Sequence, residues 1–199
     1  MENHEGSFAT PLKIQHFLNA LPYNPKPECK SPTRVLRDGT AHCFEGALFA
    51  ASKLRNLGFP PLLMDLRAEN DDDHVIALFK KDGCWGAVAK SNFTTLRYRE
   101  PVYRTLRELA MSYFDFYFNV LGEKTLRARS RPLKLGQFDS RNWMETDEDL
   151  EYIGDAFTKL PYYPLIEKGR EKTLSLADPD LVQAGLLGSN PAGLYVPKP

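Results

Sequence analysis

The stretch from residue 39 to residue 58 constrains the fold more than any other part of the chain. Its apolar residues recur with the spacing of one buried helical stripe, at Phe44, Ala47, Leu48, Ala51 and Leu54. Gly39 precedes this pattern, and Gly58 with Pro60 prevents its continuation. The sequence therefore predicts a buried helix with Cys43 in its first turn, where free N–H groups and the helix dipole favour a thiolate.

Three short apolar runs follow the predicted helix, and each has the length of a strand. They comprise residues 61–66, 74–79 and 84–89. Asp82 and Gly83 stand between the second and third runs, and an Asp-Gly pair is typical of a tight hairpin turn. This order predicts an α+β fold in which the helix covers a small antiparallel sheet.

The remaining segments are predicted as further helices and irregular connections. Residues 8–21 have the pattern of a short amphipathic helix, whereas the proline-rich residues 22–38 indicate a non-regular connection. Residues 101–121 keep helical spacing after Pro101, which suits the first turn of a helix. We therefore expect a long helix there.

The 199 residues suit one domain with an extension, and a hydrophobic content of 42% is ample for a core. We predict a core with both of these helices over residues 1–140. The composition changes near Asp139, after which residues 146–157 resemble a helix and prolines become frequent. Residues 141–199 are therefore predicted as a helical or irregular extension packed on the same domain.

Charge and hydropathy argue against several classes of partner. Lysine plus arginine and aspartate plus glutamate each total 26, so the formal net charge is +0 and no nucleic-acid partner is expected. No run approaches the roughly 20 apolar residues of a membrane span, and the N-terminal residues lack the features of a signal peptide. Cys29, Cys43 and Cys84 are too scattered for a disulfide framework or a zinc site. We expect a cytoplasmic protein without a membrane partner, a metal or a cofactor.

Cys43 acquires a candidate chemical partner in His74, which begins the second predicted strand about 31 residues later. A cysteine nucleophile needs a base within hydrogen-bond reach and a third group that orients the base. In the predicted hairpin, the start of the second strand lies beside the end of the third. His74 should therefore lie near residues 89–92, where the third group is expected.

The residues from Cys43 to Pro60 resemble the nucleophile helix of the transglutaminase-like superfamily, in which a cysteine opens a helix that ends at Leu-Gly-x-Pro. Asp73-His74-Val75 and Gly83-Cys84-Trp85 resemble that superfamily's His-Val strand and Gly-x-Trp hairpin, so the resemblance covers about residues 39–92. It implies a papain-like α+β core of a bacterial-type member. It also implies a Cys-His-Asp triad that acts on a peptide or small-molecule amide through a thioester.

Under this resemblance Cys43 matches the nucleophile and His74 matches the base. The third position departs from the pattern, because the expected aspartate is replaced by Ala89. Asn92 or Ser91 could orient His74 instead, since an amide or hydroxyl oxygen can accept from the imidazole N–H. Two carboxylates are further candidates for this role, Asp65 and Asp73. The acidic run at 71–73 is otherwise interpreted as a solvated loop.

Two hypotheses remain open. The first is a thiol enzyme that performs hydrolysis or acyl transfer, and it predicts that iodoacetamide labels Cys43 fastest near neutral pH. The second is a catalytically inactive relative, in which the same cleft binds a peptide or small ligand or forms a scaffold for a partner.

Overall fold

A computed structural model of the chain describes residues 8–198. Residues 1–7, to which the signal-peptide prediction applies, and Pro199 lie outside the described residues. The strands are β1 (Leu62–Ala68), β2 (His74–Lys81), β3 (Cys84–Val88), β4 (Arg99–Tyr103), β5 (Leu126–Ser130), β6 (Leu133–Lys134) and β7 (Tyr162–Pro164). They form one antiparallel sheet in the order β4-β3-β2-β1-β5-β7, with β6 also paired to β1.

Six helices accompany the sheet in this part of the chain. They are α1 (Pro11–Ala20), α2 (Pro32–Asp38), α3 (Cys43–Asn56), α4 (Leu106–Met111), α5 (Glu151–Thr158) and α6 (Pro179–Leu186). None of the helices within residues 8–198 combines the length and the apolar character that a membrane crossing requires. The α+β class with an antiparallel sheet, predicted from the sequence, is confirmed.

Side chains alternate across the two faces of the central strands, and each face is buried. Val75, Ala77 and Phe79 of β2 belong to the same apolar cluster as α3. Ile76 and Leu78 of the same strand lie in the cluster on the opposite face, with Tyr113 and Tyr117. Burial of a valine, isoleucine, leucine or phenylalanine side chain contributes about 1.5–3 kcal/mol relative to exposure. The sheet is thus the middle layer of the molecule.

The predicted buried helix is confirmed as α3, which begins at Cys43. Gly58 follows the helix with a φ of +87°, a left-handed conformation that glycine adopts without strain. A side chain at Gly46, in the first turn of α3, would collide with the Lys90 side chain. This absence of a side chain lets the N-terminal half of α3 approach the segment that follows β3.

The three predicted strands and their hairpin are confirmed as β1, β2 and β3. Lys81 pairs with Cys84 at the end of the β2–β3 ladder, which leaves a two-residue turn. Asp82 has a φ of +51° and Gly83 a φ of +79°. Two successive left-handed residues are typical of the turns that match the twist of paired strands.

The long helix predicted over residues 101–121 is wrong. This region contains the edge strand β4, the six-residue helix α4 and a 3-10 turn at Phe114–Phe116. Pro101 lies on β4, where an edge strand tolerates the missing N–H. Tyr113 and Tyr117 are both buried against the sheet through this turn. Their four-residue spacing is also the spacing of a buried helical stripe, which explains why the sequence predicts a helix here.

Residues beyond the predicted boundary at 140 contribute to the same core. Trp143, Ile153 and Phe157 belong to the cluster that contains α3. Strand β7 pairs with β5 at one edge of the sheet. Helix α2, in the proline-rich stretch predicted to be irregular, was missed, although Ser31 caps it and Pro32 occupies its first turn.

Candidate functional site

A cavity of about 220 Å³ opens at the N-terminus of α3, beside the start of β2. The four residues predicted from the sequence all line it, namely Cys43, His74, Ser91 and Asn92. The rest of the wall comprises Tyr23, Asp71, Asp72, Asp73, Phe93, Leu96, Tyr117, Phe118, Gly193, Leu194 and Tyr195. The predicted site residues therefore converge on one cavity.

A buried carboxylate fixes the first turn of α3 and hence the position of Cys43. Glu45 is completely buried, and its Oε2 accepts a 2.8 Å hydrogen bond from the His42 N–H. Its Oε1 accepts from the Lys30 N–H at 3.1 Å, and the Asn24 amide donates to both oxygens. Glu45 thus ties the segment that carries Tyr23 to the helix N-terminus.

The Cys43 thiol is protonated at neutral pH. Its Sγ lies 3.9 Å from the Asp73 carbonyl oxygen, to which the thiol donates. Burial raises the pKa of Cys43 to about 11, although the N–H groups of Val75 and Phe44 oppose this shift. Burial thus opposes the thiolate that the sequence predicts at the helix N-terminus. Rapid iodoacetamide labelling near neutral pH is no longer expected.

The His74 imidazole is also neutral. Only 4% of the residue is exposed, and burial lowers its pKa to about 4. Its Nε2 lies 2.9 Å from the Leu96 carbonyl oxygen. Because a carbonyl can only accept, Nε2 carries the proton and Nδ1 remains an unprotonated acceptor. The rings of Tyr113 and Tyr117 each lie 6.4 Å from the imidazole, centroid to centroid.

The orienting role predicted for Asn92 or Ser91 belongs to the Leu96 carbonyl. The Asn92 amide donates instead to the carbonyl oxygens of Asn190 and Gly193, at 2.9 and 3.0 Å. The Ser91 hydroxyl oxygen accepts from the Phe93 N–H at 3.0 Å. Both side chains line the cavity but neither bonds to His74.

Ala89, at the position expected for the triad aspartate, is completely buried. Its backbone N–H and carbonyl pair with the side-chain amide of Gln15 at 2.9 and 2.7 Å. This two-point contact joins α1 to the end of β3. The other candidate carboxylates are occupied elsewhere, because Asp65 accepts from the Tyr162 hydroxyl and Asp73 accepts from the Ala68 N–H.

Thiol and imidazole are not hydrogen-bonded to each other within residues 8–198. Along β2, Val75 faces α3, so the side chain of His74 projects toward the opposite face of the sheet. Cys43 and His74 therefore meet only around the end of the strand, where the cavity opens. The two groups thus share the cavity but bond to different backbone carbonyls.

The acidic run at 71–73 is a loop in which Asp72 and Asp73 are exposed, as expected from the sequence, and it also forms part of the cavity wall. Asp71 accepts hydrogen bonds from the Thr125 hydroxyl and the Asp72 N–H, at 2.8 and 2.9 Å. The Tyr117 hydroxyl donates to the Asp72 carbonyl at 2.7 Å. Burial raises the pKa of Asp71 to about 6. Within the described part of the chain, no three His, Cys, Asp or Glu side chains are grouped so as to hold a metal ion.

Comparison of the chain with models of known protein families gives no match, and comparison with curated proteins gives none either. The resemblance to the transglutaminase-like superfamily thus rests on the motifs within residues 39–92.

Two parts of the site have no signal in the sequence. Tyr23 lies beside Cys43, and burial raises the pKa of its hydroxyl. It comes from the proline-rich segment, whose pattern gives no indication of a site. The other part is the segment around Gly193, which is about 150 residues away from Cys43 in the chain. Only tertiary packing brings it to the cavity.

Proposed function

We propose that the protein is a transglutaminase-like thiol enzyme that acts on an amide or acyl substrate through a thioester at Cys43. The observation that supports this function is the hydrogen bond from His74 Nε2 to the Leu96 carbonyl. It fixes the imidazole as a base with Nδ1 free, in the cavity that Cys43 also lines. A backbone carbonyl thus takes the orienting part that a carboxylate has in a Cys-His-Asp triad.

In the acylation step, the Cys43 thiol gives its proton to His74 Nδ1 as sulfur attacks the substrate carbonyl carbon. The imidazolium then returns the proton to the leaving amine while the carbon–nitrogen bond breaks, which leaves a thioester. In the second step, water or an amine gives a proton to Nδ1 and attacks the thioester carbon. The carbon–sulfur bond then breaks, which releases a carboxylic acid or an amide, and the imidazolium returns its proton to the Cys43 sulfur. The Cys43 N–H, in the first turn of α3, is a donor for the oxyanion. Hydrogen bonds between nucleophile and base commonly tighten only when substrate binds.

A burst experiment with p-nitrophenyl acetate tests this function. We expect one nitrophenolate to be released rapidly for each chain, and peptide mapping to place the acetyl group on Cys43. Cys43→Ala should abolish the burst, and His74→Gln should slow acylation roughly 10²–10⁴-fold because it removes the base. Cys84→Ala is the matched control, since Cys84 is half-buried on β3 and does not line the cavity.

The absence of a burst from the unaltered chain, or its persistence in Cys43→Ala, would contradict the enzyme proposal. One observation favours a second candidate, which is a module that binds a peptide or small ligand without reaction. The thiol donates to the Asp73 carbonyl and not to the imidazole. On this hypothesis Cys43→Ala and His74→Gln change ligand affinity but no covalent product is ever formed.

A further inference from the structure

Residues 190–198 form a segment that we call the strap. The strap crosses the cavity that contains Cys43. Gly193, Leu194 and Tyr195 of the strap form part of the cavity wall. Pro191–Gly193 form a 3-10 turn, after which Leu194 has extended backbone angles, with φ of −93° and ψ of +136°. The strap therefore occupies the space through which a large substrate would have to reach the thiol.

Two asparagine side chains hold the strap by its main chain. At one end Asn92 accepts from the Asn190 N–H at 2.8 Å and donates to the carbonyl oxygens of Asn190 and Gly193. At the other end Asn70 accepts from the Lys198 N–H at 2.8 Å and donates to the Lys198 carbonyl at 3.2 Å. A side-chain amide has both donor and acceptor and so recognises a peptide group whatever its side chain.

One position of the strap requires a residue without a side chain. A Cβ at Gly193 would lie 2.7 and 2.8 Å from two carbon atoms of the Tyr23 ring. Tyr23 also contacts the strap through its carbonyl oxygen, which accepts from the Asn190 amide at 3.2 Å. The groove thus holds its occupant by the main chain and requires a glycine beside Tyr23.

We propose that this groove is a polypeptide-binding site and that the strap is its internal occupant. A polypeptide segment that makes a turn ending at a glycine beside Tyr23, and is extended from the next residue on, would replace the strap on Asn70 and Asn92 and so reach Cys43. This inference rests on the proposed function for its choice of substrate class, because a thiol enzyme with such a groove acts on a protein or peptide. Binding of the segment itself needs no reaction at Cys43.

Displacement of the strap in the full chain tests the proposal. Gly193→Val forces a branched side chain against the Tyr23 ring, and Val196→Ala is the control because Val196 is 82% exposed. The probe is a fluorescein-labelled peptide with the sequence of the strap, Asn-Pro-Ala-Gly-Leu-Tyr-Val-Pro-Lys. Fluorescence anisotropy should show that it binds Gly193→Val at least about tenfold more tightly than the unaltered chain or Val196→Ala.

Two further comparisons define the groove. A peptide with valine in place of its glycine should bind the Gly193→Val chain about tenfold more weakly than the original peptide does. The original peptide should in turn bind the double variant Gly193→Val, Asn70→Ala about tenfold more weakly than it binds Gly193→Val. If Gly193→Val does not fold, Lys198→Pro removes the N–H that bonds Asn70 and serves as the displaced form. Equal binding to the displaced and unaltered chains, or binding to neither, would overturn the proposal.

Peptide binding and the nitrophenolate burst together separate this proposal from the proposed function. A chain that binds the strap peptide but gives no nitrophenolate burst contradicts the thiol enzyme and supports the groove. A chain that gives the burst but binds the peptide in neither form contradicts the groove alone.

Discussion

Replacement of Glu45 by alanine should lower the free energy of unfolding by about 3–5 kcal/mol, because it breaks a buried charged network. The Glu45 carboxylate is completely buried and accepts from the backbone N–H groups of Lys30 and His42 and from the Asn24 amide. The Lys30 ammonium, on a residue that is 2% exposed, lies 3.9 Å from the same carboxylate. Without Glu45 these buried donors lose their acceptor, and each unsatisfied group has a cost.

Denaturation with guanidinium chloride measures this effect. Glu45→Gln keeps the shape and an acceptor oxygen, so a smaller loss is expected. Glu148→Ala removes an exposed carboxylate and should stay within about 0.5 kcal/mol of the unaltered chain. A loss of less than about 1 kcal/mol in Glu45→Ala would show that the network does not fix the start of α3.

Asp65 should have the second large effect on the free energy of unfolding, and this effect depends on pH. Asp65 is 4% exposed, and burial raises its pKa to about 7. The Tyr162 hydroxyl donates to its Oδ2 at 2.6 Å, whereas Oδ1 has no hydrogen-bond partner among residues 8–198. The folded chain therefore keeps a proton that the unfolded chain releases near pH 4. The free energy of unfolding should fall as pH rises from about 4 to 7, by an amount on the order of 4 kcal/mol from this residue.

Asp65→Asn removes this titration, so the stability of the unaltered chain minus that of the variant should decrease across the same pH range. Subtraction also cancels His74, whose lowered pKa acts in the opposite direction. His74 is neutral when folded, so its contribution is lost as pH falls from about 6.5 toward 4. Parallel stability curves for the two chains from pH 4 to pH 8 would show that Asp65 is ionised in the folded state. Tyr162→Phe is the control for the lost hydrogen bond alone.

Local patterns were sufficient for α3 and the β2–β3 hairpin. The apolar spacing and Gly58 define the helix, and Asp82-Gly83 defines the turn, since each signal acts within a few residues. Local patterns were insufficient for residues 101–121. There the spacing of Tyr113 and Tyr117 fits both a helix and a chain that turns back onto the sheet. Tertiary packing decided between the two.

The site was predicted in part for a similar reason. Residue type and motif spacing predict that Cys43 and His74 lie near each other, and both line the cavity. The Leu96 carbonyl could not be found, because every residue has a backbone carbonyl and only the fold selects one. The position of Asn92 was found but its role was not, since its partners lie about 100 residues away, at Asn190 and Gly193. The charge state of Cys43 depends on burial, which the sequence does not specify.

The dependence of the acylation rate on pH tests the thiol–imidazole mechanism most directly. In single turnovers with p-nitrophenyl acetate, neutral His74 accepts the thiol proton, so the rate should be constant from about pH 5 to 9. Below this range it should decrease as the imidazole is protonated, with an apparent pKa of about 4. A rate that instead increases tenfold per pH unit toward the pKa of Cys43, about 11, and is unchanged in His74→Gln would contradict the mechanism. Such a result would mean that free thiolate reacts without the help of His74.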